Sequence, residues 1–295
     1  MSEMVTERWS HREAVVNGVR LHYVESGEGP LVVLLHGFPE FWYSWRRQIP
    51  ALAEAGFRVV APDQRGYNTS DKPRGVASYR IETLVDDVAG LIEHAGESKA
   101  TVVGHDWGGA VAWMTPMLRP EVVDKLIVLN SPHPGAFQRE LRSPAQLLKS
   151  WYMFFFQLPW LPEAALRMGD FRAIERQLTS DPVPPGAFSE DDIAAYKEAL
   201  RQPGALTAAI NYYRAAVGRN PLGMSRLVRS IDVPTLLIWG ERDNYLGRRL
   251  TEGLEQWVPN IRVERIAEGS HWVQVDSAPR VNELMIAFLR EGSAH

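Results

Sequence analysis

Residues 101–109 read TVVGHDWGG. An apolar run of strand type leads into a turn bracketed by glycines, Asp106 stands at the tip, and a helix-forming run follows over 110–117. Strand, sharp turn and helix in this order form a nucleophile elbow. Its common form is Gly-x-Ser-x-Gly, whose small flanking residues let the chain turn tightly enough to lift the nucleophile above a sheet. In Gly104-His105-Asp106-Trp107-Gly108 a carboxylate takes the place of the serine. The alternative for an Asp between strand and helix is an N-cap, with a side-chain oxygen accepting from a first-turn N–H.

Working outward, residues 19–26, VRLHYVES, follow Asn17-Gly18, a strong two-residue hairpin signal that predicts an antiparallel start to the sheet. LVVLL at 31–35 is a continuous apolar run, as in a strand buried on both faces. A helix is predicted over 42–55, closed by Gly56, and a strand over 57–61. Residues 81–95 place Leu84, Val85, Val88, Leu91 and Ile92 on one helical face; a strand at 100–103 feeds the elbow, and another follows at 123–129. The rhythm breaks at Ser131-Pro132-His133-Pro134. Up to about Arg229 only helical patterns remain, at 145–156, 163–178, 189–201 and 205–217, punctuated by Pro182, Pro184, Pro185 and Pro203. Alternation resumes with a strand at 235–239, a helix at 248–257, a strand at 263–266 and a closing helix at 279–289. The expected architecture is α/β, a mostly parallel sheet flanked by helices. The core comprises residues 1–134 and 229–295, and a helical cap, 135–228, is inserted after the sixth strand.

A chain of 295 residues suits one such core with an insertion. With 45% hydrophobic and 23% charged residues and a net charge of -4, it offers no basic surface for a polyanion, so no nucleic-acid partner is expected. The absence of cysteine removes disulfides and thiolate metal sites and suits a reducing compartment. The opening MSEMVTERWSHRE lacks the apolar core of a secretory signal, and no run reaches the roughly 18 apolar residues of a membrane span. A cytoplasmic protein with no membrane partner is the expectation.

In sheets of this kind reactive groups gather beyond the carboxyl ends of the strands. Asp106 ends one strand, Asp243 follows LLIWGER, and His271 follows the last strand in AEGSH. Nucleophile, acid, histidine is the chain order of the α/β-hydrolases, distinct from other triad folds. Among the remaining histidines, His11, His94 and His295 lie in polar or terminal sequence and His22 in an edge strand. His36 and His105 adjoin glycine turns, which they would shape by hydrogen bonds, and His133, at the entrance to the cap, would line a cavity with substrate.

An aspartate nucleophile is already ionised near neutral pH, its ordinary pKa being about 3.9. It therefore needs no base and suits displacement at saturated carbon, giving an alkyl ester on Asp106. His271, oriented by Asp243, would then activate a water against the ester carbonyl. The oxyanion of that step would be received by the backbone N–H groups of Phe38 and Trp107. The cap carries WYMFFFQ at 151–157, including Phe155, and NYYR at 211–214. A phenol stays protonated near pH 7, and two such donors suit the oxygen of an opening epoxide. No metal and no cofactor is called for.

HGFPEFWYSWRRQIPALAEAGFRVVAPDQRGY at 36–67, GHDWGG at 104–109, the tyrosine five positions before Gln157, NYYR, GERD at 240–243 and GSHWVQVDSAP at 269–279 together resemble the soluble epoxide hydrolases of the α/β-hydrolase fold. The resemblance spans nearly the whole chain. It implies Asp106 as nucleophile, Asp243 and His271 as the water-activating pair, and Tyr152 with Tyr213 as ring-opening acids. It also implies a cis Phe38-Pro39 peptide. The aromatic cap favours an apolar epoxide, with water as the second substrate, and Phe38, Trp107, His133 and Phe155 are the candidate substrate contacts. Asn68 stands where the family has a glycine, Asn244 where proline is frequent, and Tyr212 where tryptophan often precedes the second tyrosine. The alternatives are a dehalogenase with the same three residues and a non-catalytic binding protein on the same fold. Haloalkane dehalogenases often carry Asn at the position of Phe38, and haloacetate dehalogenases carry Arg at that of Trp107.

Overall fold

A computed structural model describes residues 9–182, 184–217 and 226–291. The chain begins with a hairpin of β1 (Ser10–Val16) and β2 (Val19–Ser26), in register Val16 to Val19. Asn17 and Gly18 are left as the turn, with φ of 47° and 73°, the positive values a tight hairpin turn requires. Then come β3 (Leu31–Leu35), β4 (Arg58–Pro62), β5 (Ala100–His105), β6 (Val123–Leu129), β7 (Thr235–Gly240) and β8 (Ile261–Ile266). Among the described residues they form one eight-stranded sheet ordered β1-β2-β4-β3-β5-β6-β7-β8. Pairing is antiparallel at β1–β2 and β2–β4 and parallel elsewhere. This is the α/β architecture expected. Every residue of β3, β5 and β7 is buried, whereas β8, at the edge, is half-exposed.

Of the core helices, α1 (Gln48–Glu54), α2 (Ile81–His94) and α3 (Asp106–Leu118) precede β6. The single helix expected over 42–55 is instead a 3-10 turn, Trp42–Trp45, followed by α1. Pro50 accounts for the break, because in a continuous helix its ring would meet the carbonyl of Arg46 one turn earlier. α2 matches its pattern, burying Leu84, Val85, Val88, Leu91 and Ile92.

Between β6 and β7 lie α4 (Pro134–Glu140), α5 (Pro144–Lys149), α6 (Trp151–Phe155), α7 (Leu161–Ser180), α8 (Glu190–Arg201) and α9 (Ala205–Val217). Sequence reasoning missed α4 by reading Pro134 only as a break; proline is equally at home in a first helical turn, where its missing N–H costs nothing. The pattern at 145–156 divides at Ser150 into α5 and α6. α7 is bent where residues 168–171 leave helical geometry. α8 opens on a capping box, Ser189 Oγ accepting from Asp192 N–H at 3.1 Å while Asp192 Oδ2 accepts from Ser189 N–H at 2.9 Å. After β7 the helix expected over 248–257 shrinks to a 3-10 turn, Arg248–Thr251; the chain is already extended at Glu252, and Gly253 follows with φ of 64°. Short α10 (Val273–Asp276), also missed, and α11 (Ala278–Arg290) end the fold.

The elbow between β5 and α3 is as tight as its glycines imply. A Cβ on Gly104 would lie 2.2 Å from the Gly108 carbonyl oxygen, and one on Gly108 would lie 2.1 Å from that of Leu35 at the end of β3. Both obstacles are backbone. Gly108→Ala is therefore expected to destabilise the fold by about 3 kcal/mol or more, measured as the shift in urea unfolding. A loss within about 0.5 kcal/mol would mean that the elbow has slack.

Candidate active site

Asp106 is the first residue of α3, held at φ of 49°, and the N-cap position belongs to His105. Its carboxylate caps no helix end in the usual way. Oδ1 accepts from Phe38 N–H at 2.8 Å, and the Asp106 carbonyl accepts from Ser131 Oγ at 2.7 Å. Burial raises its pKa above the ordinary value, against the His271 and His105 rings and the N–H groups of Phe38 and Trp107, which favour the anion. The Phe38-Pro39 peptide is cis.

Asp243 follows β7, and four donors surround its two oxygens. Oδ2 is 2.8 Å from His271 Nδ1 and accepts from Asn130 Nδ2 at 2.8 Å; Oδ1 accepts from the N–H groups of Tyr245 at 2.7 Å and Leu246 at 2.8 Å. Burial alone would raise the pKa of Asp243, but His271, Asn130 and Leu246 N–H outweigh it and the value is lowered. The imidazole runs the other way. Burial disfavours its charge, yet Asp243, Asp106 and Glu40 together raise its pKa to about 9. His271 Nε2 lies 3.7 Å from Asp106 Oδ2, close enough for charge attraction but beyond a hydrogen bond.

A residue that sequence reasoning missed lies beneath this group. Glu40 is 1% exposed, its Oε2 2.8 Å from His105 Nδ1 and accepting from Gly37 N–H at 3.2 Å, while Oε1 accepts from Gln274 Nε2 at 3.1 Å. His105 Nε2 in turn lies 2.9 Å from the His271 carbonyl oxygen. Burial of Glu40 is outweighed by His105, and its pKa is lowered. The signal was available: an acid among apolar neighbours in FPEFW implies a buried, paired charge. His36 and His105 shape loops as expected, His36 Nε2 accepting from Gln64 N–H at 3.1 Å. Asn68, in place of glycine, adopts φ of 40° and donates to Asp63 Oδ2 at 2.8 Å.

Two cavities meet at Asp106, with Tyr152 and Tyr213 in the wall they share. The smaller, about 70 Å³, is lined by Trp107, Phe137, Met153 and Leu246; the larger, about 370 Å³, by Phe38, Phe155, Ile174, Tyr245 and His271. Successive residues of a helix point about 100° apart, so α9 separates its two tyrosines. The Tyr212 hydroxyl donates to Arg65 O at 2.7 Å, away from the cavities, whereas the Tyr213 ring lies 4.9 Å from Trp107 and 5.9 Å from Tyr152. Burial first, and the Asp106 charge second, raise the pKa of both Tyr152 and Tyr213, keeping each hydroxyl a neutral donor.

His133 requires a correction: it lines neither cavity. It is the N-cap of α4, Nδ1 accepting from Gly135 N–H at 3.2 Å, and its ring stacks on Trp257 at 4.8 Å. Burial lowers its pKa to about 3, so it stays neutral. His11 and His22 stack on each other at 5.1 Å, His94 lies against Tyr23, and His295 is outside the described residues. Among the described residues no cluster of three or more His, Cys, Asp or Glu could hold a metal ion, and no helix is long and apolar enough to cross a membrane.

Residues 30–278 match the alpha/beta hydrolase fold family. The chain is 47% identical over 278 residues to the AB hydrolase superfamily protein YfhM of Bacillus subtilis (strain 168), covering 93% of this chain and 96% of that protein. With Epoxide hydrolase 4 of Homo sapiens it shares 42% identity over 283 residues, covering 93% of this chain and 77% of the relative. The crystal structure of a Bacillus megaterium epoxide hydrolase in complex with an inhibitor superposes with a TM-score of 0.85 at 36% identity, covering 94% of this chain and 99% of that one. In sequence and fold alike, the chain belongs to the epoxide hydrolases of the alpha/beta hydrolase fold.

Proposed function

We propose that this protein opens epoxides to vicinal diols through a covalent ester on Asp106. One arrangement carries the reading. The Asp106 carboxylate, with Oδ1 held by Phe38 N–H at 2.8 Å and Oδ2 3.7 Å from His271 Nε2, lies at the junction of two cavities whose shared wall bears the Tyr152 and Tyr213 phenols. The helices of 135–228 act as a cap domain over a core of residues 1–134 and 229–295. The aromatic rings in both walls suit an apolar epoxide, water is the second substrate, and a cytoplasmic location completes the reading.

Because Oδ1 is engaged, Oδ2 attacks the epoxide carbon. That carbon's bond to the ring oxygen breaks, and the oxygen takes a proton from Tyr152 or Tyr213. Ester formation removes the negative charge of Asp106, one of the influences that raise the pKa of His271. The imidazole thereby shifts toward the neutral form a base requires. Water gives a proton to Nε2 and adds to the ester carbonyl carbon, and the electron pair moves onto Oδ1, which already accepts from Phe38 N–H, with Trp107 N–H as the second donor to the oxyanion. Collapse breaks the bond to the alkyl oxygen, which leaves as the diol with the proton from His271. The acid re-formed on Asp106 then loses its proton, restoring the phenol. Halide displacement would use the same carboxylate, but the two hydroxyls in the shared wall match an oxygen leaving group.

Asp106→Asn is expected to reduce diol formation to below about one-thousandth of the parent rate, read by chromatography of the diol. His271→Gln should accumulate the ester, seen in intact-protein mass spectrometry as an increment of one substrate molecule; no increment with any of a panel of aryl and alkyl epoxides would sink the two-step route. Tyr152→Phe combined with Tyr213→Phe should slow alkylation by about 100-fold or more and ester hydrolysis far less; equal slowing of both steps would mean that the tyrosines serve packing. In single turnover, ester hydrolysis should accelerate as pH rises, because His271 must be neutral, with an apparent pKa below the value of about 9 in the free protein. A hydrolysis rate independent of pH would remove His271 as the base.

A further inference from the structure

Asn244, where the family often has proline, has a specific partner. Asp181, the C-cap residue just after α7, accepts from Asn244 Nδ2 on Oδ1 at 2.8 Å and from the Tyr245 hydroxyl on Oδ2. Proline would offer no side-chain donor there. Two other cap residues grip the same loop. Gln146 Nε2 donates to Tyr245 O at 2.9 Å while its Oε1 accepts from Gly247 N–H at 3.0 Å, and Lys149 Nζ donates to Asp243 O at 3.0 Å. The cap thus holds the backbone on both sides of Tyr245. Tyr245 itself faces the acid and the histidine: its N–H donates to Asp243 Oδ1 at 2.7 Å, and its ring meets that of His271 edge-on at 5.2 Å.

The piece of α7 that carries Asp181 is set off from the rest of the helix. Gly169, Asp170 and Phe171 have φ of 62°, 59° and 60°, and for Asp and Phe this left-handed geometry is unfavourable unless the surroundings impose it. Asp181 and Tyr245 both line the larger cavity, so the contact lies between the substrate space and the loop that bears the acid.

We propose that Asp181 is a positioning residue: by clasping Asn244 and Tyr245 it ties the cap to the acid loop, so that Asp243 and His271 are aligned for ester hydrolysis only while the cap is docked. The inference rests on the ester route proposed above. Attack by Asp106 does not call on the acid loop, whereas activation of water by His271 does. Loosening the clasp therefore acts on the second step.

The test is rapid-mixing kinetics that follows formation and decay of the ester separately in the parent and in Asp181→Ala, Asp181→Asn, Asn244→Ala and Tyr245→Phe. Asp181→Ala should slow ester decay by roughly tenfold, the scale for one hydrogen bond to a charged group, and should slow its formation less. Asp181→Asn, which keeps an acceptor, should recover most of the loss. Tyr245→Phe added to Asp181→Ala should cost little more than Asp181→Ala alone, since both break the same contact. Asn244→Ala, at an exposed side chain, repeats the test on the other half of the clasp should Asp181→Ala fold poorly. Equal slowing of both steps, failure of Asp181→Asn to recover decay, or additive losses would overturn the positioning role. An ester that never forms, even in the parent and in His271→Gln, would instead refute the ester route.

Discussion

The active site depends on one close approach, that of the elbow to the loop after β3. Gly37 lies so near Asp106 that a Cβ on it would be 2.5 Å from the Asp106 Cβ, and Phe38 N–H donates to Oδ1 at 2.8 Å. β3 and β5 are parallel neighbours in register Leu35 to Gly104, so both loops leave the sheet at the same level. Only glycines let them touch. The contact brings the Phe38 N–H within hydrogen-bond reach of one carboxylate oxygen, so that a packing constraint distinguishes the two oxygens of Asp106.

Around this contact burial is used in opposite directions on two aspartates. Asp106 has few compensating donors, and burial raises its pKa; Asp243 has four, and its pKa is lowered. Placing the imidazole between them, 2.8 Å from the buried, four-donor acid and 3.7 Å from the other, makes its basicity depend on whether Asp106 is charged. The buried pair of Glu40 and His105 supports the arrangement from below, with His105 reaching the His271 backbone at 2.9 Å. Isolated, such a buried charge would be costly; as part of a hydrogen-bonded chain it makes the site rigid.

The helices between β6 and β7 add an aromatic wall beside the strand ends. α6 supplies Tyr152, α9 supplies Tyr213, and the core supplies Phe38 and Trp107, with ring centroids 4.9 to 5.9 Å apart. Edge-to-face contacts of this kind fix ring orientation as well as burying area. The same inserted helices are also bonded to the loop after β7 through Gln146, Lys149 and Asp181.

Local pattern determined much of this protein. Period and punctuation marked the strands from β2 to β8, the helices α2 and α9, and the elbow, because burial on one or both faces and the steric demands of a tight turn leave their mark within a few residues; β1 was implied only by the hairpin turn before β2. Chain order carried the three strand-end residues, Asp106, Asp243 and His271, and the family motif distinguished Tyr213 from Tyr212. Proline was read less well: Pro50 divided an expected helix and Pro134 began an unexpected one, since its effect depends on where a helix starts. Tertiary structure alone decided that His133 caps α4 and leaves the cavities, that Glu40 is buried beneath the histidine, and that Asn244 meets Asp181 across 63 positions of chain. These are contacts between residues distant in sequence. Their energies come from desolvation and hydrogen-bond geometry, which exist only once the sheet and cap have brought the partners together.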